Sequence, residues 1–231
     1  MRIGIQGKHV TNDERKAVNL TFLVDVSGSM GAQNKLELAQ KALHLLTDQL
    51  RDDDSVGLVT YAGATAQVLA QTSLKDKDDI HDAIDELSSG GGTNMGSGME
   101  MAYRNANKFL SSDSVSRVVV LSDGDANIGN TSFEEMFKSI AGYASEGVTL
   151  TTVGFGTGNY NDHLMEQLAD AGNGNYIYID SMKAAQRAFV DDLPATMQVI
   201  AKDVKIQVEF DDKVVKAYRL LGYENRDIAD E

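Results

Sequence analysis

The chain has 231 residues, 42% hydrophobic and 24% charged, enough for one fair-sized core. Its 35 acidic against 21 basic residues, a formal net charge of -14, repel phosphate backbones and anionic headgroups and so exclude nucleic acid and membrane surface as natural partners. With no cysteine there is no disulfide, thiolate nucleophile or thiolate metal site, and any bound metal must take oxygen or imidazole ligands.

Residues 1–10 alternate, Ile3 and Ile5 against Gly4 and Gln6, as a short half-exposed strand, and the polar run 11–16 sets it apart from the rest of the chain. No segment approaches the roughly 18 apolar residues of a membrane span, and the start has no signal-peptide core, so the chain as given is expected to be soluble. The apolar run 20–24 predicts a strand buried on both faces, ending at Asp25 in the stretch DVSGSM, residues 25–30. Asn34 with Glu37 then has the spacing of a capping box, and Leu36, Ala39, Leu43, Leu46 and Leu50 recur at helical steps. A second strand is expected over Ser55–Tyr61 and a third over 66–70, with a gap too short for a crossover helix, so the third should be an antiparallel edge.

Residues 76–87 read as an acidic helix with Ile80, Ala83, Ile84 and Leu87 facing inward. Three glycines, 90–92, then force a turn ahead of Thr93 and Asn94. Met99, Ala102, Tyr103, Ala106 and Leu110 mark another helix, and residues 117–122 a fourth strand ending at Asp123. Thr131 and Ser132 cap a helix, residues 148–155 are the fifth strand, Asp162–Ala171 a helix and residues 176–179 the sixth strand. Residues 182–201 read as a helix broken or kinked at Pro194, the chain's one proline. From Val204 the period changes to two, with a turn at Asp211 and Asp212 and a second strand over 214–223. A lone hairpin is marginal in water, so it is expected to pair with residues 1–10.

This alternation predicts an α/β fold: a doubly wound, mostly parallel six-stranded sheet of order 3-2-1-4-5-6 with helices on both faces. A small flanking antiparallel β element comes from the chain ends. The domain reading is a terminal β segment over 1–16, the main domain over 17–202 and the hairpin region over 203–231.

In such a sheet the first and fourth strands are neighbours where the winding reverses, and ligands bind at their carboxyl ends. Asp25 and Asp123 end those two strands, Ser27 and Ser29 follow the first, and the glycine-rich loop can bring Thr93 to the same crevice. Two carboxylates and three hydroxyls form an all-oxygen set suited to a small hard cation, Mg2+, with Mn2+ as substitute and Ca2+ less suited. Two carboxylates only just neutralise a divalent ion. A partner's Asp or Glu carboxylate could therefore complete its shell.

Asp25-x-Ser27-x-Ser29, Thr93 within GGTN and Asp123 within SDG resemble the metal-ion-dependent adhesion site of von Willebrand factor type A domains, including the integrin inserted domains. The resemblance covers about residues 17–202. It implies a Rossmann-like fold and metal-dependent protein binding without catalysis, with the serines and the threonine as direct ligands and the aspartates direct or through water. The stretches TYAG, DGDANIG, GFGTGNYND, GNGNYIYID and KDVKIQVEF resemble a narrower bacterial group of envelope-associated proteins carrying this domain. That likeness implies that the chain is a fragment of a longer cell-envelope or extracytoplasmic protein.

Each residue also has a plainer role. Asp25, Ser27 and Ser29 could serve local turns, a reading that loses because Thr93 and Asp123 complete the set. Asp125 and Asn127 imitate a calcium loop, but Ile128 stands where its glycine is required, which leaves them as rim residues or loop shapers. Gly28 and Asn94 are further rim candidates; Met30, Met95 and Met99 are expected to pack beneath the site, with Met30 and Met95 as rim residues the alternative. The four histidines have no ligand spacing.

Two rival functions stand beside the binding module. One is a Mg2+-dependent phosphatase using Asp25 as nucleophile, which generally wants a second carboxylate where Ser27 stands. The other is a scaffold acting through the edge of the flanking sheet.

Overall fold

The computed structural model of the chain describes residues 11, 14–124, 132–156, 162–191, 210–211 and 213–217, with the backbone alone at Gln33 and Asn34. The chain divides into two compact units, 1–199 and 200–231. The first is built around β1 (Ala17–Asp25), which pairs in parallel with β2 (Ser55–Tyr61) on one side and β4 (Ser114–Ser122) on the other. β5 (Thr149–Phe155) and β6 (Asn175–Ile179) extend the sheet in parallel, and β3 (Thr65–Ser73) closes the other edge antiparallel to β2. The order is β3-β2-β1-β4-β5-β6, as the strand and helix alternation predicts.

Side chains of a strand alternate between faces, so β1 feeds two cores. Val18, Leu20, Phe22 and Val24 join one cluster with Leu36, Leu43 and Leu46 of α1 (Lys35–Asp48) and Ile80 and Ile84 of α2 (Lys77–Asp85). Leu23 joins the other, with Met99 and Tyr103 of α3 (Met95–Asn107), Ile140 of α4 (Phe133–Glu146) and Leu168 of α5 (Asp162–Ala171). Leu110, expected on the inner face of α3, lies beyond the end of that helix and is 37% exposed.

α4 starts with a capping box between Ser132 and Glu135 and ends at Gly147, whose φ of 116° is the left-handed cap that glycine adopts without strain. Helical conformation after β1 begins earlier than the Asn34 spacing suggests. A 3-10 helix over Gly28–Asn34 runs straight into α1, and the extended residue ahead of it is Ser27, with φ -62° and ψ 166°. The segment expected as one long helix from 182 is α6 (Met182–Gln186) followed by a π turn over Arg187–Asp191. Its continuation through Pro194 lies outside the described residues.

The polar run before β1 is tied to the sheet. Arg15 is 4% exposed and ion-paired with Asp54, and Lys16 Nζ donates to the Ser112 carbonyl. In the second unit the Asp211 carbonyl accepts from the Val214 and Val215 N–H groups at 3.1 and 2.9 Å. The turn is wider than the sequence pattern suggests, because Val214, read as the start of a strand, sits within it and is 79% exposed. The strands expected over 1–10, 204–209 and 218–223 lie outside the described residues.

Candidate metal centre

β1 delivers Asp25 to the carboxyl edge of the sheet beside β4, where the winding reverses. Asp25 is 0% exposed and is held by three donors: the Ser27 N–H to Oδ1 at 2.9 Å, Tyr61 OH to Oδ2 at 3.1 Å and Ser122 Oγ to Oδ2 at 2.9 Å. Burial pushes its carboxyl above the ordinary acid range, the Ser27 and Ser122 hydrogen bonds pull it back, and nearby Asp123 pushes it up again. Tyr61, at the end of β2 and fully buried, is pushed well above the usual phenol range by burial first and by the Asp25 charge second.

Ser27 is 1% exposed, Ser29 is half-buried, and their hydroxyl oxygens stand 3.0 Å apart. Adjacent oxygens of an octahedral Mg2+ shell, with bonds of about 2.05 Å, lie about 2.9 Å apart. The two serine hydroxyls share a hydrogen bond at this distance, which is also the separation of neighbouring ligands. Among the described residues no three His, Asp or Glu side chains cluster to hold an ion.

The glycine-rich loop lies against the Asp25 loop through backbone bonds: Gly90 N–H donates to the Val26 carbonyl at 2.8 Å, and Gly28 N–H to the Gly91 carbonyl at 3.2 Å. Gly91 has φ 82°, and a Cβ at Gly28 would sit 3.5 Å from the Gly91 oxygen. Two residues on from Gly91, Thr93 is half-buried at the mouth of α3, and Asn94 caps that helix by accepting from the Ser97 N–H at 3.3 Å. α3 can lie close beneath because its Gly98 has no Cβ, which would meet Tyr61 Cβ at 2.9 Å.

Asp123 directly follows β4, is 2% exposed, and its Oδ2 accepts from Lys35 Nζ at 2.7 Å. The adjacent Ser122 is one of the donors to Asp25, so the two aspartates close on one crevice.

Gly28 is exposed, and Asn94 is half-buried at the start of α3. Met30 and Met95 are each 0% exposed and belong to the two cores, so as rim residues they are corrected: they support the loops from below and offer a ligand no surface. Asp125 and Asn127 lie outside the described residues. Tyr61, Ser122 and Lys35 are parts of the site that sequence reasoning missed. Only the position of Ser122 beside Asp123, at a strand end, could have flagged one of them.

A doubly wound sheet carrying buried carboxylates and paired hydroxyls at its switch point defines an α/β ligand-binding domain. The chain belongs to the von Willebrand factor type A domain family, whose model matches residues 19–192. Residues 195–231 match a second model, described as the C-terminal region of the uncharacterized protein YfbK. The uncharacterized protein YfbK of Escherichia coli (strain K12) is 39% identical over 228 residues, covering 99% of this chain and 40% of that protein. This chain therefore spans less than half the length of that relative. Among solved structures, a conserved hypothetical protein BatB from Bacteroides thetaiotaomicron superimposes with a TM-score of 0.65 at 22% identity, over 78% of this chain and 98% of that one. An aerotolerance-related membrane protein from Bacteroides fragilis superimposes with a TM-score of 0.64 at 23% identity, over 78% of this chain and 100% of that one. At those identities the two structures speak for the fold.

Proposed function

We propose that this domain is a metal-dependent protein-binding module, in which Ser27, Ser29 and Thr93 hydroxyls with the Asp25 and Asp123 carboxylates hold Mg2+, and an Asp or Glu of a partner completes the shell. Von Willebrand factor type A domains are generally metal-dependent protein-interaction modules. The observation that carries the reading here is the Ser27 and Ser29 oxygen pair, 3.0 Å apart at the mouth of the loop that buries Asp25. A divalent ion supplies a Lewis-acidic centre for a carboxylate. The chain's own part is to hold oxygen atoms in place, which the three donors to Asp25 and the backbone bonds between the two loops do.

The phosphatase reading generally wants a second carboxylate two residues after the nucleophile as acid and base, and Ser27 stands there. Among the described residues no helix is long and apolar enough to cross a membrane. We place the whole protein at the cell envelope, a reading that rests on the likeness of stretches such as GNGNYIYID and KDVKIQVEF to envelope-associated bacterial proteins.

Thermal unfolding in EDTA and in saturating Mg2+ tests the metal. At 100 times its dissociation constant a bound ion adds about 2.7 kcal/mol, and this gain is expected in the wild type and absent in Asp25→Asn. Binding of an acidic peptide library should follow the same dependence on Mg2+. A wild-type melt indifferent to Mg2+, Mn2+ and EDTA alike rejects the proposal.

A further inference from the structure

Lys35 is the first residue of α1, and its ammonium lies on the Asp123 carboxylate at 2.7 Å, with side-chain exposures of 18% and 1%. Its aliphatic stem runs over Gly156 at the end of β5. A Cβ on Gly156 would sit 2.9 Å from Lys35 Cε and 3.3 Å from Cδ, and the φ of 114° at that position is one that side-chain-bearing residues rarely adopt. Gly156, whose carbonyl accepts from the Tyr178 hydroxyl, thus leaves room for the lysine stem on its way to Asp123. The contact is built into the fold from both sides.

We propose that Lys35 is an internal counter-cation for Asp123, which neutralises the buried carboxylate in the metal-free domain and must leave it when a divalent ion enters. The inference rests on the proposed metal site and adds to it a positioning residue that sets how much metal is needed. Asp123 is buried, and the ammonium of Lys35 balances its charge in the metal-free crevice. An ammonium and a divalent ion sharing one carboxylate repel each other strongly where water does not screen them. Exchange of one cation for the other satisfies Asp123 in both states and releases Lys35 toward the mouth of the crevice, where α1 and the 3-10 helix over Gly28–Asn34 meet.

Lys35→Met keeps the stem over Gly156 and removes the charge. Calorimetric titration with Mg2+ alone, at fixed KCl, should show binding at least about tenfold tighter in Lys35→Met than in wild type. In EDTA the variant should melt below wild type, and Mg2+ should close the difference. In the wild type, acylation of Lys35 by an amine-reactive ester, read by peptide mass spectrometry, should be slow in EDTA and rise on Mg2+ addition. In Asp25→Asn it should stay slow with or without Mg2+.

Equal or weaker Mg2+ affinity in Lys35→Met overturns the inference while leaving the metal site standing. So does tighter affinity with no change in wild-type Lys35 labelling, because the ammonium then stays where it is. Failure of wild type and variant alike to bind Mg2+ by titration overturns the metal site itself, and this inference with it.

Discussion

The three donors on Asp25 differ in what removes them. The Ser27 N–H belongs to the turn and Ser122 to the neighbouring strand, but the Tyr61 hydroxyl can be deleted alone by Tyr61→Phe, which preserves the buried ring. A hydrogen bond to a charged acceptor contributes about 1.5–3 kcal/mol, so Tyr61→Phe should lower the stability of the metal-free domain by about 2 kcal/mol in a urea titration. The loss should shrink in an Asp25→Asn background, where the acceptor carries no charge, and a double-mutant cycle gives the difference. The same geometry separates the residues legible in the sequence from those that are not. Asp25, Ser27 and Ser29 stand out because an apolar run ends there in a glycine turn, and Asp123 because RVVVLS ends before it. Tyr61 and Lys35 do not: one looks like the last apolar residue of a strand, the other like the first polar residue of a helix. Their roles exist only once β2, β4 and α1 are brought together. For Met30 and Met95 the sequence leaves two readings, core and rim, since adjacency to a loop does not fix which side of it a side chain takes, and burial selects the core.

Between the helices, α1 and α2 meet through a pair of histidines rather than through carbon alone. His44 and His81 rings pack edge to face with centroids 4.6 Å apart, and His44 Nε2 pairs with Asp85 at 2.9 Å. His81 Nε2 is buried with no hydrogen bond, and Asp48, 3.7 Å away and too far to accept one, is itself engaged by Lys77. Burial first, and His44 second, hold the His81 imidazole below its ordinary value of 6.5, with Asp48 pulling the other way. Between that lowered value and 6.5 the unfolded chain binds the proton more tightly, so stability is lost as pH falls through this window. Urea titrations at about pH 7 and about pH 5 should therefore show a steeper loss in wild type than in His81→Gln. The helices themselves are plain from their three- and four-residue apolar steps. The 3-10 helix ahead of α1 is not, because GSMGAQN carries no apolar period and its course is set by the loops packed on it: a Cβ on Gly31 would meet Ser89 Oγ at 2.6 Å.

Taken whole, the first unit carries its candidate site and a buried polar anchor at opposite ends of the sheet. Asp54, immediately before β2, accepts from Arg15 Nη1 and from the Val18 N–H on Oδ1, both at 2.8 Å, and from Arg15 Nη2 and the Arg51 N–H on Oδ2. Its side chain and that of Arg15 are 0% and 1% exposed. The network fixes the entry to β1 against the turn that follows α1, and β1 then runs nine residues, about 30 Å at strand rise, before it reaches Asp25. This anchor is invisible in the sequence, since Arg15 lies in a polar run and Asp54 in an acidic one, both of which read as solvated surface. Removing one partner of a buried pair leaves the other charge stranded, at about 3–5 kcal/mol. Asp54→Asn should therefore lower the urea midpoint far more than Tyr61→Phe does. At a temperature where the variant is still folded, however, its Mg2+ dissociation constant by titration should match that of the wild type, because the strand between the two ends is locked into the sheet by β2 and β4 on either side. A changed dissociation constant would mean that the two ends are coupled along β1, and that stability and metal binding are not separable in this domain.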